Sequence, residues 1–304
     1  MLRIRPAFLA LALALGSVGL VGTAATGAHA NDIRLCQYQV ASVSGGRYTV
    51  QNNEWGSPAP ECVTTDGRAE FRVASSAISN PTDGAPGGYP SIFAGCHWGD
   101  CTTGGLAEEP LRLADLAADI VTSSWYTTDP GGTSNAYNVA YDIWINRTPA
   151  TSGAPNGTEL MVWINHHGPV QPAGSVVAAG VRIGGNRYDV WYNPGSGTGD
   201  GVSYEMISPH AGVTNLDIGT LISDAELRGY TDPSWYLIAI EAGFEIWRGG
   251  AGLATRYFSV NLMPNSRGWP SSGHAFRSCT LTTSDAAQSP LMLTILKARR
   301  GPHR

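Results

Sequence analysis

The chain carries little charge and almost no lysine. Charged residues make up 14% of its 304 residues, the net charge is -5, and Lys297 is the single lysine. Without a basic surface the protein is not expected to bind nucleic acid, and a neutral or weakly polar substrate fits its composition better. Schiff-base chemistry on a core lysine is excluded, because that lysine lies at the far end of the chain.

Long apolar runs are absent beyond the N-terminus. The chain begins with Arg3 and Arg5, continues with an apolar stretch at 7–15, and reaches a small-x-small ending at 28–30. This order predicts a secretory signal peptide over residues 1–30, which would be removed on export. An uncleaved membrane anchor is the alternative, which the cleavage-type ending disfavours. No later segment approaches the roughly 20 apolar residues of a membrane span, so no membrane contact is expected after cleavage.

Cysteine is scarce, and an exported protein is expected to oxidise the few it has. Cys96 and Cys101 flank a short His-Trp-Gly-Asp turn, which favours a local disulfide. That pairing leaves Cys36 with Cys62 and keeps Cys279 unpaired. A zinc site around the intervening histidine is the alternative, but the spacing matches no paired Cys-x-x-Cys site.

Several motifs of other enzyme classes are also missing. The chain has no Gly-x-Ser-x-Gly elbow of serine hydrolases and no His-Glu-x-x-His metal motif, and the adjacent His166 and His167 are not expected to bind a metal. The glycine-rich stretch 195–201 has neither the dinucleotide-binding nor the P-loop spacing, and is interpreted as a turn. Neither a metal ion nor an organic cofactor is therefore expected.

Turn-forming residues, in contrast, are plentiful. Short apolar stretches alternate with clusters that draw on 38 glycines and 19 prolines, the pattern of many strands joined by turns. It predicts one all-β domain at 31–262, a sandwich or jelly roll with a surface helix at 216–228, and a poorly ordered tail at 263–304. Strands are expected at 48–52, 71–74, 120–126, 138–146, 159–165, 176–183, 186–192, 203–208, 236–247 and 255–261.

Two glutamates interrupt apolar, strand-like runs. Glu159 shares one face of a predicted strand with Met161 and Trp163, while the alternate residues are aliphatic. Glu245 lies in a similar run at 235–247. Hydrolysis of a glycosidic bond needs two carboxyl groups, one to attack or stabilise the anomeric carbon and one to protonate the departing oxygen. Structural hydrogen bonds or ion pairs are the alternative role for such glutamates.

Neighbouring strands can hold two carboxyl groups at the required spacing. A retaining enzyme keeps them about 5 to 5.5 Å apart, and adjacent strands lie about 4.7 to 4.9 Å apart. Asp142, in a third alternating run, is expected beside the nucleophile, where it would set the nucleophile's protonation. Glu241 precedes Glu245 by four residues, about 13 Å along a strand, and is expected farther out in a groove or in a structural pair.

Aromatic residues accompany these acids. Sugar rings stack their C–H faces on indoles, while their hydroxyls form hydrogen bonds with Asn, Asp and Glu. Trp55 is the best single candidate, because it lies in a polar turn between Glu54 and Gly56. The other candidate platforms are Trp98, Trp144, Trp163 and Trp247.

A set of motifs follows in a fixed order between about residues 36 and 262. They are Gln51-Asn52-Asn53-Glu54-Trp55-Gly56, Tyr89-Pro90-Ser91-Ile92-Phe93, Gly95-Cys96-His97-Trp98, Tyr141-Asp142-Ile143-Trp144, Glu159-Leu160-Met161-Val162-Trp163, Gly168-Pro169-Val170-Gln171-Pro172-Ala173-Gly174-Ser175 and Gly243-Phe244-Glu245-Ile246-Trp247. Together they resemble the secreted endoglucanases of glycoside hydrolase family 12. The resemblance implies a β-jelly roll of two antiparallel sheets with a concave substrate groove, and hydrolysis of internal β-1,4-glucan bonds with retention.

Roles for individual residues follow from the resemblance, position by position. It implies that Glu159 is the nucleophile, Glu245 the general acid/base and Asp142 the aspartate beside the nucleophile. It also implies the disulfides Cys36 to Cys62 and Cys96 to Cys101. The remaining matches are substrate contacts or groove residues: Asn53 and Trp55 at the non-reducing side, Met161 under the reaction centre, and His97 close to the groove.

Two departures from the family pattern bear on the chemistry. Ile246 stands where bacterial relatives commonly have proline, and Glu241 where they have glutamine. Glu241 could raise the pKa of the acid/base through like-charge repulsion, or Arg248 could neutralise it. The expected partner is a β-glucan, cleaved by a monomer; hydrolysis of xyloglucan or mixed-linkage glucan by the same residues, or glucan binding without catalysis, are the alternatives.

Overall fold

The computed structural model describes residues 32–116, 121–195 and 199–263. The predicted signal peptide, Cys279 and the predicted tail from residue 264 onward lie outside the described residues.

Two twisted sheets pack face to face. Their strands are β1 Ile33–Cys36, β2 Val40–Val43, β3 Tyr48–Gln51, β4 Glu61–Thr65, β5 Phe71–Ser76, β6 Ser91–His97, β7 Asp100–Cys101, β8 Leu111–Arg112, β9 Val121–Thr128, β10 Ala136–Asn146, β11 Thr158–His167, β12 Ser175–Ile183, β13 Asn186–Asn193, β14 Asp200–Met206, β15 Gly212–Asp217, β16 Tyr236–Gly243, β17 Ile246–Arg248 and β18 Ala254–Leu262.

The smaller sheet has the strand order β1-β4-β5-β18-β9-β15, and the larger follows β12-β13-β14-β11-β10-β16-β6-β3-β2. Three short strands, β17, β8 and β7, flank this longer path as partners of β10, β16 and β6. Among the described strands, all pairs but one are antiparallel; β11 and β14 run parallel. The predicted jelly-roll sandwich is confirmed, with this parallel pair as a local departure from two purely antiparallel sheets.

Alternation along the strands explains the sandwich. In β10 every second side chain, including Tyr141 and Ile143, enters the core between the sheets. The intervening residues, including Asp142 and Trp144, lie on the open face of the larger sheet. On the smaller sheet Trp125 is fully buried in the same core. One apolar core therefore fixes the register of both sheets, and all polar residues of interest lie on one open face.

The single described α-helix, α1, spans Ile218–Leu227 and packs its apolar side on the core. The helix predicted near 216–228 is confirmed; it begins two residues later than expected, because β15 continues through Asp217. Asp217 caps the helix: its carboxylate accepts a hydrogen bond from the backbone N–H of Thr220 at 2.9 Å. Among the described residues, no helix is long and apolar enough to cross a membrane.

The run predicted as one strand at 236–247 is two strands, β16 and β17, separated at Phe244 and Glu245. The chain leaves the ladder here because Phe244 donates its N–H to Pro90 O and Ile246 donates to Gly88 O. Both apolar side chains still enter the core. Glu245 therefore lies in an irregular segment rather than in a continuous strand.

Both predicted disulfides are present. Cys36 is bonded to Cys62 between β1 and β4, and Cys96 to Cys101 across the β6–β7 turn. The second bond closes the turn that carries Trp98.

Candidate active site

Glu159 lies on β11, in the middle of the open face. Its strand neighbours Leu160 and Val162 are fully buried in the core, as the alternation predicted. Cross-strand register places Glu159 opposite Trp144 of β10 and, on the other side, opposite Gly201 of β14. The carboxyl group is therefore flanked by an aromatic ring on one side and by a residue without a side chain on the other.

Glu245 is held over the same face by Asn138 of β10. The backbone N–H of Glu245 donates to Asn138 Oδ1 at 2.8 Å, and Asn138 Nδ2 donates to Glu245 Oε2. The Asn138 N–H also donates to the Glu245 carbonyl at 3.0 Å. Sequence reasoning missed Asn138, although it shares the alternating face of β10 with Asp142.

Two cavities meet at these glutamates. One has a volume of about 610 Å³ and is lined by Trp55, His97 and Asp142, among others. The other has a volume of about 650 Å³ and extends past Met161 toward β14 and β13. Glu159 and Glu245 line both cavities. They therefore stand at the middle of one long groove, with room for polymer on either side.

The two glutamates differ in their tendency to hold a proton. Burial raises the pKa of Glu159 to about 7. Burial also raises the pKa of Glu245 to about 8; the charge of Glu159 raises it further, and the Asn138 hydrogen bond lowers it. Because the charge of Glu159 raises the pKa of Glu245, an ionised Glu159 favours a protonated Glu245.

Asp142 of β10 lines the same cavity as Glu159 and Glu245. It is opposite Met161 of β11 and opposite Glu241 of β16. Burial raises its pKa well above the usual range, and the charges of Glu159, Glu241 and Glu245 add to that effect. Burial and the neighbouring carboxyl groups therefore favour the protonated form of Asp142.

Glu241 is fully buried rather than farther out in the groove. Its Oε2 accepts hydrogen bonds from Gln51 Nε2 at 3.1 Å and from Ser91 Oγ at 3.3 Å. His97 Nε2 lies 3.8 Å from the other oxygen. The structural pairing expected for this residue is therefore observed, with partners that sequence reasoning did not name.

Arg248 does not neutralise Glu241 in the described structure. It is exposed, and its guanidinium donates to the Asn80 carbonyl at 3.3 Å. Burial raises the pKa of Glu241 to about 8, with the Ser91 hydrogen bond opposing that shift. Burial lowers the pKa of His97 to about 3. Burial thus favours the uncharged form of both partners, and Glu241 is satisfied by the hydrogen-bond donors Gln51 and Ser91 rather than by a cation.

The predicted sugar platforms separate into exposed and buried rings. Trp55 is 49% exposed and Trp98 46% exposed, both along the cavity that contains His97. Trp98 packs edge-on against Trp144, with ring centroids 5.0 Å apart. Trp144, Trp163 and Trp247 also line the two cavities, but they are buried, so little of each ring is exposed in the groove.

Hydrogen bonds to Tyr89 and Glu61 hold the segment that contains Asn53 and Trp55. Asn53 has a φ of 46°, and its carbonyl accepts a hydrogen bond from the Tyr89 N–H at 3.0 Å. Glu54 accepts a hydrogen bond from the backbone N–H of Glu61 at 3.0 Å. Burial raises the pKa of Glu61 to about 8; a Ser76 hydrogen bond lowers it and the Glu54 charge raises it.

The opposite cavity is built around two buried tryptophans. Trp163 and Trp247 lie with ring centroids 6.2 Å apart, and Met161 packs against the same cluster. The Trp247 indole donates to the Gly84 carbonyl at 2.7 Å, which fixes the loop that forms one wall. Within the described ranges, no three His, Cys, Asp or Glu side chains are arranged to hold a metal ion.

Comparison with known proteins gives a family match over most of the chain. The sequence profile of Glycosyl hydrolase family 12 matches residues 46–263. The chain belongs to this family. The resemblance inferred from the motifs is thereby confirmed, and the protein is a glycoside hydrolase.

Three relatives illustrate the range of the family. Endoglucanase cel12A from Rhodothermus marinus has a structure that superposes with a TM-score of 0.69, at 37% identity, over 75% of this chain and 98% of that one. The probable cellulase Cel12b of Mycobacterium tuberculosis is 35% identical over 131 residues, which cover 43% of this chain and 83% of the relative. A probable xyloglucan-specific endo-beta-1,4-glucanase A of Aspergillus clavatus is 28% identical over 271 residues, 83% of this chain and 98% of the relative.

Proposed function

We propose that this glycoside hydrolase is a secreted, retaining endo-β-1,4-glucanase. The observation that carries the proposal is the position of Glu159 and Glu245, which line both halves of one continuous groove. A polymer that fills both halves places an internal bond beside these carboxyl groups, as endo-cleavage requires. The endoglucanase and cellulase relatives support the same substrate class.

The proposed reaction has two steps. In the first, the Glu159 carboxylate attacks the anomeric carbon while Glu245 protonates the departing glycosidic oxygen, so the bond breaks and a covalent glycosyl-enzyme forms. In the second, Glu245 removes a proton from a water molecule that attacks the same carbon and releases Glu159. Two inversions at one carbon give a product with the original β configuration.

The remaining groove residues have supporting roles in this proposal. Asp142 holds its proton beside Glu159 and keeps the negative charge of the cluster on the nucleophile. Trp55 and Asn53 bind the glycone, the non-reducing side of the chain, by stacking and hydrogen bonding. Met161 lies under the reaction centre, and His97 closes the floor on the glycone side as a neutral imidazole.

Xyloglucan is the second candidate substrate. The Aspergillus clavatus relative carries that specificity in its name and matches most of this chain. The same two glutamates would cleave either polymer, because side-chain tolerance depends on the groove walls rather than on the reacting groups. The proposal favours unbranched glucan on the strength of the more similar endoglucanase and cellulase relatives.

One assay series tests these statements. Initial rates on carboxymethylcellulose, lichenan and xyloglucan are measured for the wild-type protein and for Glu159→Gln, both purified in the same way. The proposal predicts the highest kcat/KM on unbranched glucan and β-anomeric product at early times by proton NMR. Activity that survives Glu159→Gln, or α-anomer as the first product, overturns the mechanism; a preference for xyloglucan overturns the substrate assignment alone.

Export and domain organisation complete the proposal. The two disulfides support an oxidising compartment. Residues 1–30 would be removed as a signal peptide, leaving a monomeric catalytic domain at 31–262 and a tail at 263–304. N-terminal sequencing of protein recovered from the culture medium should begin at residue 31, and a mature protein that retains the first thirty residues would contradict this organisation.

A further inference from the structure

A row of side chains crosses the open face from the reaction centre toward the edge of the larger sheet. Met161 of β11 is opposite Ser203 of β14, and Ser203 is opposite Trp191 of β13. Strand pairing therefore places Trp191 two strands from Met161, in the same cross-strand row. At one strand spacing each, the separation is about 10 Å.

Trp191 faces the groove and not the core. Its neighbour Val190 is buried in the core, and Tyr192 stacks on Tyr230 next to α1, with ring centroids 4.3 Å apart. Trp191 itself is half-buried. Since side chains alternate along a strand, its ring lies on the same face as Ser203 and the reaction centre.

The orientation of this ring is fixed at its polar edge. The Trp191 indole N–H donates to Glu205 Oε2 at 2.9 Å. The other oxygen of Glu205 lies 3.4 Å from His166 Nε2. A tryptophan whose N–H is already satisfied offers its apolar surface to a ligand at little conformational cost.

The path from Glu159 to this ring is open. Gly201, the residue opposite Glu159 on β14, has no side chain, and its own partner on β13 is Asn193. Gly201, Ser203 and Asn193 all line the cavity that begins at Glu159. A glucan chain leaving the reaction centre on this side crosses small and polar groups before it reaches Trp191.

We propose that Trp191, held by Glu205, is a stacking platform for the second sugar on the leaving-group side of the cleaved bond. The inference rests on the proposed function, in which Trp55 lies on the glycone side of the groove. The leaving-group side of the groove then lies over β14 and β13. Trp191 touches no reacting atom. It contributes binding energy only when the substrate has sugars beyond the cleaved bond.

Two substrates separate this role from a structural one. Nitrophenyl β-cellotrioside has a nitrophenol leaving group and no sugar beyond the cleaved bond, whereas cellohexaose fills both sides. Trp191→Ala should lower kcat/KM on cellohexaose about 3- to 10-fold, the range expected for loss of one stacking contact. It should leave kcat/KM on the aryl cellotrioside within about 2-fold. Trp191→Phe, which keeps a flat ring, should restore most of the loss on cellohexaose.

Control variants sharpen the result. Trp55→Ala should lower kcat/KM on both substrates, because both occupy the glycone side, and Tyr257→Ala on the smaller sheet should change neither. If Trp191→Ala fails to fold by circular dichroism, Trp191→Leu fills the same space without a flat face and should give the same selective loss. Equal losses on both substrates, or no loss on cellohexaose, overturn the inference. A wild-type protein that cleaves neither substrate overturns the proposed function instead.

Discussion

Asn138 and Glu245 are joined by three hydrogen bonds, two to the backbone of Glu245 and one to its carboxyl group. The side-chain contact lowers the pKa of Glu245, against the larger effect of burial. One asparagine thus orients the proposed acid/base and moderates its proton affinity. These hydrogen bonds hold Glu245 in place although it lies in the irregular segment between β16 and β17.

Replacing Asn138 should therefore have two effects. Asn138→Ala is expected to lower kcat about 10- to 100-fold, because a misplaced acid is a poor proton donor. It should also move the alkaline limb of the kcat/KM profile upward, since loss of the hydrogen bond raises the pKa of Glu245 further. Asn146→Ala, which removes a buried asparagine from the same strand, should leave that limb in place. A downward shift of the limb in Asn138→Ala would contradict the assignment.

Chemical rescue tests the second role of Glu245. With a dinitrophenyl cellobioside, whose leaving group needs little protonation, Glu245→Ala should still form the glycosyl-enzyme but release it slowly. Turnover should fall by roughly 10²- to 10⁴-fold. Added azide should then restore turnover and give a β-glycosyl azide, because it needs no general base. The matched variant Glu241→Ala should show no azide response, and an α-azide product would argue against a double displacement.

The pH dependence of catalysis follows from the two raised pKa values. The productive form has Glu159 ionised, with its pKa raised to about 7, and Glu245 protonated, with its pKa raised to about 8. Activity is lost below the first value, as Glu159 gains a proton, and above the second, as Glu245 loses one. A bell-shaped kcat/KM profile should result, with its acid limb well above the usual glutamate range of about 4.3. An acid limb at or below 4.5 would contradict the buried setting of the nucleophile.

The raised pKa of Glu61 predicts that the stability of the protein depends on pH, independently of catalysis. Its pKa is raised to about 8 in the folded protein, from an ordinary value of 4.5. The folded state therefore binds the proton more tightly than the unfolded state, and this stabilisation, complete below pH 4.5, declines as the pH rises to about 8. Glu61→Gln mimics the protonated carboxyl group at every pH.

Urea unfolding at pH 5 and pH 8.5 measures this effect. The wild-type free energy of unfolding should be lower at pH 8.5, and Glu61→Gln should recover at least about 2 kcal/mol of that difference. Glu109→Gln, on the surface of the loop before β8, serves as the control and should recover none. A wild-type protein that is more stable at pH 8.5 than at pH 5 would exclude the buried, protonated state of Glu61.

Strands whose side chains alternate between core and groove could be predicted from the sequence. β10 and β11 carry aliphatic residues on one face and Asp142 or Glu159 on the other, and this pattern located both acids. β6 was missed because the apolar residues Ile92, Phe93 and Ala94 follow one another, so its sequence has no alternation to detect.

The contacts of the site residues were harder to predict from the sequence, because they depend on pairing between strands that are distant in the chain. The partners of Glu241 come from β3 and β6, and nothing in the local sequence links these elements to β16. Asn138 and Trp191 carried a usable signal, since each alternates with core residues along its strand. Their importance became visible only when the register placed them beside Glu245 and Ser203.

Covalent labelling tests the central claim most directly. A 2-deoxy-2-fluoro-β-cellobioside with a dinitrophenyl leaving group should accumulate as a glycosyl-enzyme, because the fluorine slows its hydrolysis. After proteolysis, mass spectrometry should find one fluorocellobiosyl group per protein, on the peptide that contains Glu159, and none in Glu159→Gln. A label on any other carboxyl group, or turnover without a covalent intermediate, would contradict the account.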